Sequence, residues 1–382
     1  MAVTFSGGGY AGVTINIIQP TPPGYYLWSW GSNSYAQVGD GTTINKSTPV
    51  QIGALSNWLR VAAGGYHKIS VKTDGTLWTW GYGVHGILGL GNTTSYSSPK
   101  QVGALTNWAG NADSFDGGGY HTAAVKTDGT LWTWGNNYKG ALGLGDESNR
   151  DSPVQVGSLT NWLKVSAGNY RTVHAIKTNG TMWGWGKNTY GQLGQGNTTD
   201  RSSPVQVGAL TTWSTVSAGP YHLAAIKTDG TLWTTGSNFY GELGQGDTTH
   251  RSSPVQVGSL TNWSKVSAGN YYHMAIKTDG TMWSWGYNAQ GQLGLGNTTD
   301  RSSPVQVGAL TNWENVYSGP YFTLAIKTDG TLWSWGDTYQ STGNLGLGDT
   351  LDRSSPTQVG SLSAWTNAAA GTFYHSAAIA YY

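Results

Sequence analysis

Residues 216–258 read VSAGPYHLAAIKTDGTLWTTGSNFYGELGQGDTTHRSSPVQVG, and the chain writes this sentence seven times, about fifty residues per copy. Three markers keep the register. One is the first tryptophan of the LWTW-like runs, at Trp28, Trp78, Trp132, Trp183, Trp233, Trp283 and Trp333. The others are the proline of SPVQVG, from Pro49 to Pro356, and the tryptophan of LTNW, from Trp58 to Trp365. Periods of this length mark solenoids, arrays or propellers, whose units cannot bury their apolar faces alone. The quoted copy holds four short apolar runs separated by glycine, proline and Asp-Gly signals, which predict strands at Thr215–Ala218, Leu223–Thr228, Thr231–Thr235 and Val255–Val257. TDGT joins the second and third, and Asp-Gly predicts a two-residue hairpin turn with both central residues at positive φ. No helical period survives, so the unit is expected to be a four-stranded antiparallel blade.

The two ends of the chain decide between row and ring. The chain stops at HSAAIAYY, which corresponds to a second strand, and begins, after a prefix, with YYLWSWG, a third strand. An open row gains nothing from a cut inside a blade. A ring gains closure, because the two half-blades complete one another and remove free edges. The expected fold is therefore all-β: a seven-bladed β-propeller over residues 25–382, closed by pairing of its N- and C-terminal strands in one shared blade.

Composition limits what such a ring can do. Charged residues make up only 10% of 382, and 20 Lys+Arg stand against 19 Asp+Glu. That balance argues against nucleic acid, which normally meets a strongly basic face. Zero cysteines exclude disulfides, thiolate metal sites and thiol catalysis. The apolar run VTINII (Val13 to Ile18) is far short of the ~20 residues of a spanning helix. No signal peptide is visible. The expectation is a soluble protein made in the cytoplasm, without membrane insertion, and associated with a virion. No Ser, His and acid combination stands outside the repeat, so no catalysis, cofactor or metal is expected.

The string G-x-Y-H-x-x-A-I-K-T-D-G-T-L-W-x-W-G-x-N-x-x-G-Q-L-G-x-G resembles the repeat of the regulator of chromosome condensation superfamily over roughly residues 25–382. The resemblance implies a seven-bladed propeller, in agreement with the repeat itself. It implies no single function, since members include a nucleotide-exchange factor, a beta-lactamase inhibitor and a UV-B photoreceptor. Similar near-identical SSPVQVGALTNW arrays occur in bacteriophage structural proteins. The photoreceptor's sensing indoles resemble a G-W-R-H-T motif whose position carries tyrosine here, so light sensing is rejected.

In an antiparallel meander the G-x-Y-H turns and the long N-x-x-G-x-L-G-x-G loops share one face, while the TDG turns and LTNW connections share the other. Long loops on a rigid frame are the usual place for recognition. The turns supply Tyr66, Tyr120 and Tyr221, each followed by a histidine that is expected to bond backbone between blades. Seven-fold spacing sets these histidines too far apart to share an ion at ~2.1 Å. The arginines Arg150, Arg201, Arg251, Arg301 and Arg353 are expected to pair with local aspartates and carbonyls. GQLGQG (Gly191–Gly196) leads into a strand, not a helix, and carries no dinucleotide.

Breaks in the repeat carry what symmetry cannot. One loop position varies freely in a constant frame: Tyr35, His85, Lys139, Tyr190, Tyr240, Gln290 and Gln340. Additional residues fall at AGNADSFDGGG, adding Phe115 and Asp116 to the candidate face, and at DTYQSTGNLG (Asp337 to Gly346). Residues 1–24 stand outside the array and are expected to be a strap or linker. The function expected is non-enzymatic: a structural or recognition propeller in a virion or other large assembly, bound to a protein partner through residues 1–24 or to a surface glycan through its loops. The alternatives are an intracellular protein-interaction module of the GTPase-regulator type, and an inhibitor or carbohydrate-binding module.

Overall fold

The computed structural model describes residues 23–382, so the strap expected at 1–24 lies almost wholly outside the described residues. The described residues form seven four-stranded antiparallel sheets. Blade 5, quoted above, runs from inner to outer edge as Trp213–Ala218, His222–Lys227, Leu232–Gly236 and Arg251–Gln256. Blades 2, 3, 4, 6 and 7 begin at Trp58, Phe115, Trp162, Trp263 and Trp313. Blade 1 is the shared one, built from Trp365–Gly371, His375–Tyr381, Tyr25–Gly31 and Lys46–Gln51. Its seam is continuous from Tyr25↔Tyr381 to Gly31↔His375. The ring is closed as the chain ends require.

Two local expectations need correction. The fourth strand starts four residues earlier than Val255, at Arg251, and includes Pro254. Proline is tolerated there because the strand is the outer edge, with a register shift between Thr234 and Gly236 on its neighbour. The TDG turn is also not a two-residue turn. Gly75 has φ 76° while Asp74 is not among the positive-φ residues. The Gly75 N–H donates to Lys72 O at 2.9 Å, and the Asp74 carboxylate accepts from the Thr76 N–H at 3.0 Å. This is a three-residue loop, a turn followed by a left-handed glycine.

What holds blade to blade is a latch made by the second indole of each WxW. The Trp80 N–H donates to Gln37 O at 3.0 Å, in the long loop of the preceding blade. Trp134, Trp185, Trp285 and Trp335 repeat this on Ile87, Ala141, Glu242 and Gln292, and Trp30 closes the ring on Asn344. Blade 5 has Thr235 instead, whose hydroxyl reaches Gly191 O at 3.2 Å. Gly294 shows why the loop is glycine-rich: its φ is 72°, and a Cβ there would lie 2.7 Å from the Trp335 nitrogen. The first indoles are clamped differently. Lys72 Nζ sits 3.7 Å over Trp78, and Lys126, Lys177, Lys227, Lys277 and Lys327 repeat the cation–π contact. The tryptophans are therefore accounted for by packing.

Of the six buried histidines, three make the expected backbone bond between blades: His222, His273 and His375. His375 donates to Gly65 O at 2.9 Å and His222 to Asn270 O at 3.1 Å. His67 meets the Thr122 hydroxyl, a side chain, at 2.8 Å. Burial pushes His67 down to about 3 and His121 to about 4, so both stay neutral. Arg150, Arg251 and Arg353 each pair with the aspartate four residues earlier, at 2.6–2.7 Å.

Candidate functional site

The first-to-second turns of all blades meet around one mouth of the central channel. Adjacent turns touch through backbone: the Gly65 N–H donates to Gly118 O at 3.0 Å and the Asn270 N–H to Pro320 O at 3.2 Å. Asn169 reaches past one blade to Asn270, amide to amide, at 3.3 Å. Crowding of this kind leaves the turn's aromatic residue only one way to go, outward. The result is a ring of Tyr66, Tyr120, Tyr170, Tyr221, Tyr271 and Tyr321, with Phe373 in blade 1. Tyr66 stacks on Phe373 at 3.8 Å and lies 5.2 Å from Tyr120, while Tyr170 and Tyr221 stack at 4.9 Å. Burial and its tyrosine neighbours push the Tyr221 hydroxyl up to about 12, and burial raises Tyr66 and Tyr271 as well. These phenols stay protonated as donors and acceptors.

Long-loop tips add an outer arc. Tyr35 lies 5.1 Å from Tyr66, Tyr190 lies 5.5 Å from Tyr221, and Tyr240 lies 5.3 Å from Tyr271. Each outer tyrosine thus leans on an inner one, and Tyr35 and Tyr240 remain 43% and 40% exposed. His85 and Lys139 take φ of 58° and 63°, each just before a glycine that is also at positive φ, Gly86 at 74° and Gly140 at 70°. His85 faces Tyr120 at 6.2 Å, whereas Lys139 is tied to Asp200 at 3.2 Å. Gln340 donates to the Tyr339 hydroxyl at 3.0 Å, and the Gln290 N–H is held by Gln292.

Of the sequence candidates, Tyr35, Tyr66, His85 and Tyr120 converge on a cleft of about 330 Å³, completed by Tyr82, Val84 and Arg171. Tyr190, Tyr221 and Tyr240 share the opposite arc. Lys139, Gln290 and Gln340 stand apart on separate loops.

Phe115 and Asp116 are corrected: neither belongs to the tyrosine face. Both lie in the inner strand of blade 3, and Phe115 is buried with Ile69, Val71, Trp108 and Trp134. The added residues end in a loop, and the strand alternation then turns Phe115 into the core and Asp116 to the channel wall. There Asp116 accepts the Ala167 N–H at 2.9 Å, and burial pushes its carboxyl up to about 7. Ser166, Ser217 and Ser267 do the same work at the next three junctions, accepting from Ala218, Ala268 and Ser318 at 2.8–3.0 Å. The channel itself is a cavity of about 470 Å³, in whose wall Lys164 and Asp113 pair at 3.3 Å.

Sequence reasoning missed Tyr82 and Tyr287, which follow the glycine ending the third strand, and the site role of Arg171. The signal was present. Between Ala167 and Thr172 the turn reads GNYR, one residue longer than GGY in blade 3, and the extra residue is Arg171 at φ 69°. Blade 1 has the same insertion, Tyr374 at φ 55°.

A family profile described as the RCC1-like domain matches residues 113–381, and the regulator of chromosome condensation (RCC1) repeat matches residues 26–71 and 74–125. The ultraviolet-B receptor UVR8 of Arabidopsis thaliana is 32% identical over 184 residues, 47% of this chain and 41% of the receptor. The probable E3 ubiquitin-protein ligase HERC3 of Homo sapiens is 40% identical over 28% of this chain and 11% of its own. The matched part is thus less than half the length of either relative. Among solved structures, yeast RCC1 (Prp20) bound to Kap60 superposes with TM-score 0.81 at 17% identity, over 94% of this chain and 90% of that one. Human WBSCR16 gives 0.82 at 18% identity, over 93% and 98%. Both show a common fold.

Proposed function

This chain belongs to the RCC1-like domain family, and from that premise we propose that it is a non-enzymatic protein-interaction module whose partner lies on the tyrosine face. One observation carries this: two concentric arcs of aromatic side chains, inner turns and outer loop tips, gathered on a single face of a chain poor in charge. Tyrosine gives large contact area at small entropy cost and keeps a polar tip for hydrogen bonds, which suits a recognition surface. Protein partners are also what fold relatives carry. Yeast RCC1 was solved with Kap60 bound, and Prp20p is described through its binding to Gsp1p and histones.

The test is retention of proteins from the native source by the intact chain and by a Tyr35→Ala, Tyr190→Ala, Tyr240→Ala variant of equal melting temperature. A partner kept by the first and lost by the second supports the proposal. Equal retention by both moves the site to the opposite face or the channel. The finer setting, a propeller carried by a virion or other large assembly through residues 1–24, rests on the sequence resemblance alone. A chain starting at Gly24, run in the same experiment, decides it. A glycan ligand for the same face would show as oligosaccharide binding with no protein retained.

A further inference from the structure

The cleft walled by Tyr35, Tyr66, Tyr82, His85 and Tyr120 holds a guanidinium, that of Arg171, where the opposite arc of the face has an ammonium, Lys187 Nζ at 5.5 Å from the Tyr221 ring centre. Arg171 enters it from the inserted turn position of blade 4. Its Nε–H donates to Asn136 Oδ1 at 3.2 Å, and its guanidinium lies 4.9 Å from the Tyr138 ring centre and 5.8 Å from that of Tyr120. Among the described residues no carboxylate pairs with it, although Arg150, Arg251 and Arg353 all have aspartate partners. Only one of its five N–H donors is therefore spent on protein, and the two terminal amino groups remain as a fixed, half-buried fork. Such a fork fits a planar carboxylate through two parallel bonds.

Resting on the proposal that this face binds protein, we propose that the cleft takes an acidic peptide segment of the partner. A glutamate or aspartate carboxylate docks on Arg171, and a neighbouring flat or apolar side chain lies against Tyr35 and Tyr66. The cleft lining holds no carboxylate and no side-chain amide. It therefore lacks the acceptors that sugar hydroxyls use in pairs, while it offers what a peptide needs: aromatic walls, one fork for an anion, and phenol donors. The Tyr66 and Tyr120 hydroxyls lie 3.2 Å apart in a single hydrogen bond, which leaves one of the two phenol protons for the cleft. The same turn position fixes selectivity. In blades 2 and 3 the turn is one residue shorter and presents tyrosine alone, so the anion fork exists once in the ring.

The probe is a fluorescein-labelled, amidated peptide of three glutamate–tyrosine repeats, titrated into the full chain. Lysine–tyrosine and glutamate–alanine peptides of equal length and a tetragalacturonate are the controls. Saturable binding of the glutamate–tyrosine peptide is expected, weakened about tenfold by Arg171→Asn and by raising the salt, as for a desolvated charge pair. Asparagine tolerates φ of 69°, so this variant keeps the turn; Arg171→Lys, which keeps charge but not the planar fork, should fall between. No saturable binding, equal binding of the lysine–tyrosine peptide, an unchanged Kd in Arg171→Asn, or tighter binding of tetragalacturonate would each overturn the assignment. The two proposals separate cleanly. If Arg171→Asn keeps the native partner while the triple tyrosine variant loses it, the acidic-peptide site fails and the tyrosine face stands. If neither variant loses it, the face itself fails.

Discussion

Removing Ala377–Tyr382 tests whether closure, and not blade stacking alone, holds the ring. In the shared blade these residues are the middle of a sheet, paired on one side with Tyr25–Ser29 and on the other with Trp365–Ala369. Ala377, Ala378, Ile379 and Ala380 are all fully buried, Tyr381 packs at a tilt on Tyr25 at 4.7 Å, and Tyr382 stacks on Tyr26 at 4.9 Å. One isoleucine side chain and three methyl groups represent about 4–5 kcal/mol of apolar burial. Each lost ladder bond adds ~1 kcal/mol, and the Tyr25 and Trp365 strands would face each other across a gap with unpaired edges. A domain of ordinary stability has ~5–15 kcal/mol in all. The truncated chain should therefore unfold or aggregate, read by circular dichroism melting and light scattering. A shorter step, Ile379→Ala, should cost ~2–5 kcal/mol in the same assay. If the truncated chain melts at the temperature of the intact one, the seam contributes nothing and the closure argument is wrong.

Lys68→Met should raise stability at pH 7 by roughly 1–3 kcal/mol, read as a higher melting temperature. Lys68 Nζ is fully buried at the seam, donating to Ser29 Oγ, Gln37 O and Ser376 O with no carboxylate partner, and burial lowers its pKa well below 10.5. The unfolded chain takes a proton that the folded one resists, so the gap between variant and wild type should narrow as pH rises toward 10.5; a lower melting temperature at pH 7 refutes this. Asp116→Asn should stabilise at pH 8 by about 1–3 kcal/mol and do little at pH 4. The folded carboxyl titrates at about 7 against 3.8 in the unfolded chain, so its contribution is full below 3.8 and drains as pH rises to 7. Equal effects at both pH values would remove the titration from the account. Tyr35→Ala, Tyr190→Ala and Tyr240→Ala should each weaken partner binding by about 1–2 kcal/mol without altering the melt, measured by calorimetry with the retained partner. A chain starting at Gly24 should melt unchanged, since every blade marker lies beyond it; a lower melting temperature would give residues 1–23 a part in the ring.

Blade number, strand order and ring closure were legible because each is written locally and repeatedly. Apolar alternation sets a strand, glycine and proline set its ends, and a cut within a blade has no stable partner except the other end of the chain. The site was legible only in part. Tyr35, Tyr190 and Tyr240 stand out as variable tips in a constant frame, but their contacts with Tyr66, Tyr221 and Tyr271 come from neighbouring blades. Phe115 reads as a loop aromatic and is in fact core, because strand alternation is counted from a start that the inserted residues hide. Arg171 reads as a minor departure from G-x-Y-H. Its meaning depends on a backbone at φ 69° that swings the guanidinium onto Tyr138 and toward a cleft made by blades 1 to 3. The sequence alone determined how many blades there are and where they join, since those follow from short-range pattern. Only the tertiary structure decided which side chains share a cleft, since that follows from the angle between blades and from turns where one added residue changes direction.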